Sequence, residues 1–446
     1  MKPTLQVALD FLDLSRALRC AREAVAGGAD WLEAGTPLIK SAGLDAIRSL
    51  VREFPGRYIV ADLKVMDAGR TEVEAAAKAG AKCATVLGVA SEATIEECVE
   101  AGRNTGIDIC VDLVQAPDPA AVARRAAALG ARHVSIHCPI DAQMQGRSPW
   151  ADLAAVRAAV ACPVAVAGGL TAATASDAVA AGAEIVIVGG AITKAPDAAA
   201  ATRAIRHALD TGEKPASDLF KRGQEADLPV LLAKVSTANA SDAMHRSGAL
   251  LGIHPITPGA KAAGPAFTVR TYPGDWAKPV EAIETAPPGS ILVIDAGGVP
   301  PAVWGELASE SCLQRGIAGV VIDGALRDVD DIRRMKFPAF ARLVTPAAGE
   351  PRGFGETGIV VKVGGLEVAP GDWILGDDTG VVRIPRARAV EVANRAMHVL
   401  ETENRIRAEI RRHSTLSQVV ELAKWEKQVL KRSDGPGPDP VGDRPA

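Results

Sequence analysis

The sequence predicts an α/β protein of two domains: an N-terminal (β/α)8 TIM barrel, then an α/β sandwich with a long C-terminal helix. Three observations carry this. A phrase recurs four times in the first half: "GGADWLEAG" from Gly27, "AGAKCATVLG" from Ala79, "LGARHVSIHC" from Leu129 and "AGAEIVIVGG" from Ala181. Each copy holds a helix-ending glycine, an alanine, one polar residue and a short apolar strand. Between the copies lie LQVALD (5–10), YIVADLK (58–64), DICVDLV (108–114) and PVAVAGG (163–169), each followed by an Ala-rich helical stretch. Eight evenly spaced βα units suit a closed barrel better than an open doubly wound sheet. Finally, the grammar changes near residue 209, after which Gly/Pro-rich turns surround short strands.

The domain boundaries follow. Residues 1–210 form the barrel, and 211–234, charged and without apolar periodicity, read as a linker or connecting helix. Residues 235–432 form the second domain, with strands such as ILVIDAGG (291–298), GVVIDG (319–324), IVVKVGG (359–365) and GVVRIP (380–385). A helix over 386–411, rich in Arg and Glu, is expected to present a solvated charged face. The tail 433–446, SDGPGPDPVGDRPA, has nothing to bury and reads as disordered.

With 446 residues the chain is too long for one ordinary core. Aromatics are only 3% while glycines number 43, so helices and strands must pack through Ala, Val and Gly contacts. A net charge of −4 supplies no basic field for nucleic acid or an anionic membrane. Seven cysteines without a CxxC pair read as reduced thiols, and no apolar run reaches transmembrane length. A cytoplasmic protein is expected.

Candidate chemistry gathers where barrel strands end. Asp10 closes the first strand, Glu33 the second, Asp62 and Lys64 the third, Asp112 the fifth and His137 the sixth. Within "VADLKVMDAG" (60–69), period-two alternation puts Asp62 and Lys64 on one strand face, with Asp67 close behind. Buried charges must be paired, bind a metal or meet a charged substrate. Glu33 and Asp62, oxygen ligands on adjacent strands, suit Mg2+, which would hold the two oxygens of an enediolate. Lys64 adds fixed positive charge, and the imidazole of His137 can move a proton. A structural ion-pair network of Asp62, Lys64 and Asp67 is the competing reading. Strands seven and eight end instead in Gly168-Gly169 and Gly189-Gly190, whose exposed N–H groups suit a substrate phosphate. In the second half, Arg327 and Asp328 follow the strand GVVIDG, with Asp331 next. The Arg can grip a carboxylate and the Asp a metal. The start of the helix at Gly305-Glu306 could hold an anion.

"LQVALD", "EAGTPLIKSAG", "ADLKVMD", "SIHCPIDAQMQG", "VAGGLT" and "VGGAIT" resemble 3-hexulose-6-phosphate synthase and its sister 3-keto-L-gulonate-6-phosphate decarboxylase, in the orotidine-monophosphate-decarboxylase suprafamily. The resemblance implies a Mg2+-dependent homodimer. Glu33 and Asp62 would serve the metal, Asp10 and Lys64 the substrate and intermediate, and Asp67 would reach a partner subunit's site. The implied reaction joins formaldehyde to D-ribulose 5-phosphate through an enediolate, reversibly. The decarboxylase carries an arginine three residues after the histidine, where this chain has Ile140, which favours the aldol enzyme. The family commonly has Gly-Arg where this chain has Gly189-Gly190, leaving Lys194 as the substitute cation.

Residues 235 to about 426 resemble the RraA-like family through "STANASDAM", "DAGG", "AVWGEL", "GVVIDGALRD", "PGDWILGDDTGVV" and "STLSQVVELAKWE". That family includes the regulator of ribonuclease E activity and 4-hydroxy-4-methyl-2-oxoglutarate aldolase. It implies trimeric assembly, with Arg327 orienting a pyruvate-like acid and Asp328 holding Mg2+ through water. Its members act as an aldolase, an oxaloacetate decarboxylase or a non-catalytic ribonuclease regulator. Asp331 matches the acidic residue of the members with aldolase activity.

Overall fold

The computed structural model describes residues 2–215 and 222–420. The end of the second domain (421–432) and the tail expected at 433–446 lie outside the described residues. Eight parallel strands close in sequence order into a barrel: β1 (Thr4–Leu9), β2 (Trp31–Ala34), β3 (Tyr58–Val65), β4 (Cys83–Leu87), β5 (Asp108–Asp112), β6 (His133–His137), β7 (Val164–Ala167) and β8 (Ile185–Val188). β8 pairs back to β1, with Val7 opposite Val188.

The recurring phrase has a physical cause. Gly28, Gly80, Gly130 and Gly182 all lie in the left-handed region, with φ of 98°, 96°, 100° and 99°. The next alanine's N–H then reaches back to the carbonyl five residues earlier: Ala29 to Ala24, Ala81 to Ala76, Ala131 to Ala126 and Ala183 to Ala178. This is the Schellman close of a helix, which only glycine enters without strain. It ends the helix, buries the alanine and starts β2, β4, β6 or β8.

The second domain is built on a mixed sheet. Its centre is four parallel strands, in the order Ala262–Thr271, Ile291–Asp295, Gly319–Leu326 and Ala339–Val344. The hairpin Trp373–Asp377/Gly380–Ile384 adds antiparallel to one side and His254–Pro255 to the other. Alternation splits the core between the two faces: Leu292, Ile294, Val320 and Ile322 meet Ile283 and Cys312 of flanking helices. Ile291, Val293 and Val321 meet Leu250, Val361 and Val368. Of the stretch 211–234, Leu228–Lys234 is a helix whose Leu228, Leu231 and Leu232 are buried against the C-terminal helix.

That C-terminal helix, Ala389–Arg411, departs from expectation. Its apolar side, Val392, Ala393, Ala396 and Met397, packs on its own domain. The opposite side, expected to be solvated, lies across the barrel. Glu401, Arg405 and Glu409 are 1%, 4% and 5% exposed. Arg405 donates to Glu23 at 2.9 Å and to Glu409 at 2.8 Å, and Glu409 accepts from Arg16 at 3.1 Å. Asn394 donates to the Met144 and Gly223 carbonyls at 2.9 and 3.0 Å. Charges at i, i+4 spacing read alike whether the face meets water or another domain; here the partners are barrel residues distant in sequence.

Removing one member of a buried ionic network strands the others. Arg405→Ala, which takes away the cation that Glu23 and Glu409 share and leaves them the more exposed Arg412 and Arg16, is expected to destabilise by about 3 kcal/mol. Equilibrium urea unfolding of variant against parent checks it, and a loss too small to resolve contradicts it.

Candidate active site

The third strand supplies the centre of the site by breaking its own regularity. Pairing between β3 and β4 shifts register after Ala61, and Lys64 sits at φ 50°, in the left-handed region. Simple alternation, from which Asp62 and Lys64 were expected to share a face, is therefore not what joins them. The bulge turns the Lys64 side chain back, and its N–H donates to the Thr85 hydroxyl at 3.0 Å. Lys64 Nζ then donates to Asp62 at 2.9 and 3.0 Å and to Asp112 Oδ2 at 3.0 Å. The hydroxyls of Thr36 and Thr85 donate to the two Asp62 oxygens at 2.6 and 2.8 Å. Asp62 is thus fixed in orientation. Two carboxylates hold the Lys64 pKa above its ordinary value even though burial acts to lower it.

Asp112 joins this cluster to His137. Its Oδ2 lies 3.3 Å from His137 Nδ1 and its Oδ1 accepts from the Val114 N–H at 2.9 Å. An ionised carboxylate only accepts, so it orients Nδ1–H toward itself and leaves Nε2 free for proton transfer. Burial would raise the Asp112 pKa, but hydrogen bonding and charge from His137, with the charge of Lys64, hold it below the usual carboxylate range. Sequence reasoning placed Asp112 at a strand end without giving it a task. Thr36 and Thr85 it did not single out.

Glu33 is buried beside this cluster and accepts from the Gln6 amide at 2.5 Å. Burial, then the charges of Asp62 and Asp10, push its pKa well above the usual value. Among the described residues no Lys or Arg lies within ion-pairing distance of Glu33. Asp10 stands in the mouth, open to solvent on one side but walled by protein on the rest, so burial and Asp62 raise its pKa too. A Cβ on Gly35 would come 2.2 Å from Asp10 Oδ1, so only glycine at the end of β2 lets this carboxylate in. Asp67 does not join the group. It is exposed and accepts from the adjacent Ala68 N–H at 2.7 Å, because the chain has already turned away after Lys64.

Across the mouth, Gly168 and Gly169 follow β7 with φ of 107° and 71°. Gly189 and Gly190 follow β8 and open a four-residue helical turn, Gly190–Thr193. A Cβ on Gly189 would lie 3.4 Å from Asp10, and one on Gly190 3.6 Å from Lys194 Nζ. One rim therefore carries the carboxylates and the other open backbone.

No group of three His, Cys, Asp or Glu is gathered as a metal cage among the described residues. Glu33 and Asp62 nevertheless fit a hard divalent ion. They are two oxygen donors, one of them without a cation, in a mouth where four carboxylates outnumber the lysines, and Mg2+ keeps its remaining sites for water and substrate.

In the second domain, Arg327 Nε lies 3.3 Å from Asp328 Oδ2. Asp328 adopts φ 59° and accepts from the Glu306 N–H at 3.1 Å, so the helix start expected to hold an anion is already capped by Asp328. Asp331 is paired with Arg334. A cavity of about 330 Å³ opens beside Arg327 and Asp328, walled by Trp276, Trp304 and Leu307.

Residues 3–205 match the model of the orotidine 5'-phosphate decarboxylase / HUMPS family, and residues 237–383 match that of RraA-like proteins, described as Aldolase/RraA. The 3-hexulose-6-phosphate synthase of Methylomonas aminofaciens is 42% identical over 201 residues, 45% of this chain and 96% of that protein. The chain belongs to the orotidine 5'-phosphate decarboxylase / HUMPS family. The 3-hexulose-6-phosphate synthase of Mycobacterium gastri is 40% identical over 46% of this chain and 99% of its own length. A crystal structure of 3-hexulose-6-phosphate synthase is 39% identical, covering 46% of this chain and 99% of that one, with a TM-score of 0.44. The family barrel thus accounts for half of the protein, and the chain is an enzyme. Among the described residues no helix is long and apolar enough to cross a membrane.

The raised Glu33 pKa has a signed consequence. Its folded value lies above the unfolded one, so the stability it contributes is complete below the unfolded pKa and is lost as the pH rises through the folded pKa. Glu33→Gln removes that loss. The variant is expected to be more stable than the parent at pH 7, by about 1–2 kcal/mol, and to lose the advantage near pH 4. Thermal melting at the two pH values, in the presence of a chelator, checks both signs.

Proposed function

We propose that the N-terminal barrel is a 3-hexulose-6-phosphate synthase. It joins formaldehyde to D-ribulose 5-phosphate in a reversible aldol reaction. The observation that carries this reading is Lys64 bridging Asp62 and Asp112, with His137 on the same Asp112. The family relatives bear that name.

The chemistry needs a proton removed from the carbon next to the ketose carbonyl, an enediolate stabilised, and that carbon then bonded to the formaldehyde carbon. His137, oriented by Asp112 through Nδ1, takes and returns the proton at Nε2. Lys64 places a fixed ammonium where negative charge develops, and its two carboxylates keep it protonated throughout. Asp10 accepts from substrate hydroxyls at the rim. Mg2+, when held by Glu33 and Asp62, would supply further positive charge toward the enediolate oxygens. Gly168-Gly169 and Gly189-Gly190 receive the phosphate at the far rim. In the reverse direction the same groups cleave the bond and release formaldehyde.

The second domain has its own site. A half-exposed Arg327 beside Asp328, in a cavity with tryptophan walls, suits a small pyruvate-like acid, and a lyase acting on such an acid is the reading it favours. Arg327→Ala should abolish pyruvate-forming cleavage of a 4-hydroxy-2-oxo acid and leave the barrel's reaction untouched. Parallel assays of the two activities on one preparation check this.

The decisive experiment for the barrel is formaldehyde consumption with ribulose 5-phosphate and Mg2+. Asp62→Ala is expected to lower kcat/KM by more than a hundredfold, since it frees Lys64 from its partner and removes a ligand. Unchanged turnover in Asp62→Ala rejects the assignment, as does release of carbon dioxide from a keto-gulonate phosphate without formaldehyde fixation.

A further inference from the structure

Lys194 stands at the glycine rim with an unusual partner. Its ammonium lies 2.8 Å from His398 Nδ1 and 3.1 Å from Nε2, and His398 belongs to the second domain's C-terminal helix. A Cβ on Gly190 would lie 3.6 Å from Lys194 Nζ, so the cation sits directly over the loop that follows β8. Among the described residues no carboxylate lies within ion-pairing distance of it.

The surroundings do not supply the missing anion. Glu401, one turn further along the helix, is held bidentately by Arg222 at 2.9 and 2.7 Å. Glu401 and, more weakly, Asp10 act on Lys194 only by charge at longer range. Burial, with the charges of Lys194, Arg222 and Arg395, lowers the His398 pKa to about 3, so the ring is neutral and accepts a hydrogen bond from the ammonium. Burial brings the Lys194 pKa down to about 8. A largely desolvated ammonium whose hydrogen-bonding partner is a neutral ring, facing open backbone, is the arrangement a phosphate would complete.

Resting on the proposed barrel reaction, we propose that Lys194 grips the substrate's phosphate at the Gly168-Gly169/Gly189-Gly190 rim, and that His398 is the positioning residue that aims it there. The phosphate site is then built by both domains. The cation stands four residues beyond Gly190, and the second domain supplies its support. Asn394, on the same helix stripe, fixes the helix against the Met144 carbonyl and so holds His398 in register with the rim.

The full-length protein tests this with Lys194→Met, Lys194→Arg, His398→Ala and His398→Gln, each checked for parental melting behaviour. Calorimetric titration with inorganic phosphate and with ribulose 5-phosphate reads binding without turnover, and steady-state kinetics separates KM from kcat. Lys194→Met should weaken phosphate, and raise KM for the sugar phosphate, at least tenfold. KM for formaldehyde should not move and kcat should stay within about threefold; Lys194→Arg should recover most of the loss. His398→Ala should follow in the same direction by three- to tenfold, with His398→Gln, which keeps an acceptor, less affected. Phosphate binding by Lys194→Met within twofold of the parent overturns the clamp. Full binding by His398→Ala, beside loss in Lys194→Met, overturns the role of the second domain. A parent that binds phosphate through Lys194 but fixes no formaldehyde upholds the clamp and rejects the synthase reading alone.

Discussion

One ammonium organises the barrel mouth. Lys64 reaches Asp62 on its own strand and Asp112 two strands away, and through Asp112 it is coupled to His137 on β6. This bridge depends on a backbone departure at Lys64, where the left-handed φ shortens the reach to Asp62 and lets Thr85 bond the Lys64 N–H. A non-glycine residue held in that region costs of order 1–3 kcal/mol and persists only where the surroundings enforce it. Here they do: five hydrogen bonds to Asp62 and Asp112 converge on the bulge from Lys64, Thr36 and Thr85.

The two domains are joined by more than a connecting chain. The helix Ala389–Arg411 has two working sides, one apolar toward its own sheet and one polar toward the barrel. Asn394, His398, Glu401, Arg405 and Glu409 recur every three or four residues and meet Met144, Lys194, Arg222, Glu23 and Arg16 in turn. Because these contacts are hydrogen bonds and ion pairs with tight geometry, they specify register more sharply than apolar packing would.

Much of this was legible in the chain itself. The barrel could be read because four glycines repeat one helix-ending turn. Asp10, Glu33, Asp62, Lys64 and His137 could be read because each closes an apolar strand. Asp112 was visible as a strand end, but its task exists only through its neighbours on β3 and β6. Thr36 and Thr85 are ordinary hydroxyls until the fold brings them to Asp62. Asp67 stands apart from the Lys64 cluster because sequence proximity does not survive the turn at Ala68, which is itself left-handed. In the second domain the central strand Ala262–Thr271 was hidden by Gly264-Pro265, which reads as a break. It is tolerated there because Pro265 falls where the antiparallel partner Trp373–Asp377 begins.

The odd-numbered strands carry a further regularity. β1, β3 and β5 each bring an aspartate to the mouth, Asp10, Asp62 and Asp112, at intervals of roughly fifty residues, the length of a quarter-barrel. β7, the fourth of the series, ends in Ala167 and two glycines with no acid. Repetition thus gives the rim an electrical polarity: three quadrants carry an acid, and the last carries none and has the Lys194 ammonium beside its glycines. A doubly negative ligand entering such a ring has one direction in which it can lie, with its charged end in the quadrant that broke the pattern and its reacting end over the acids.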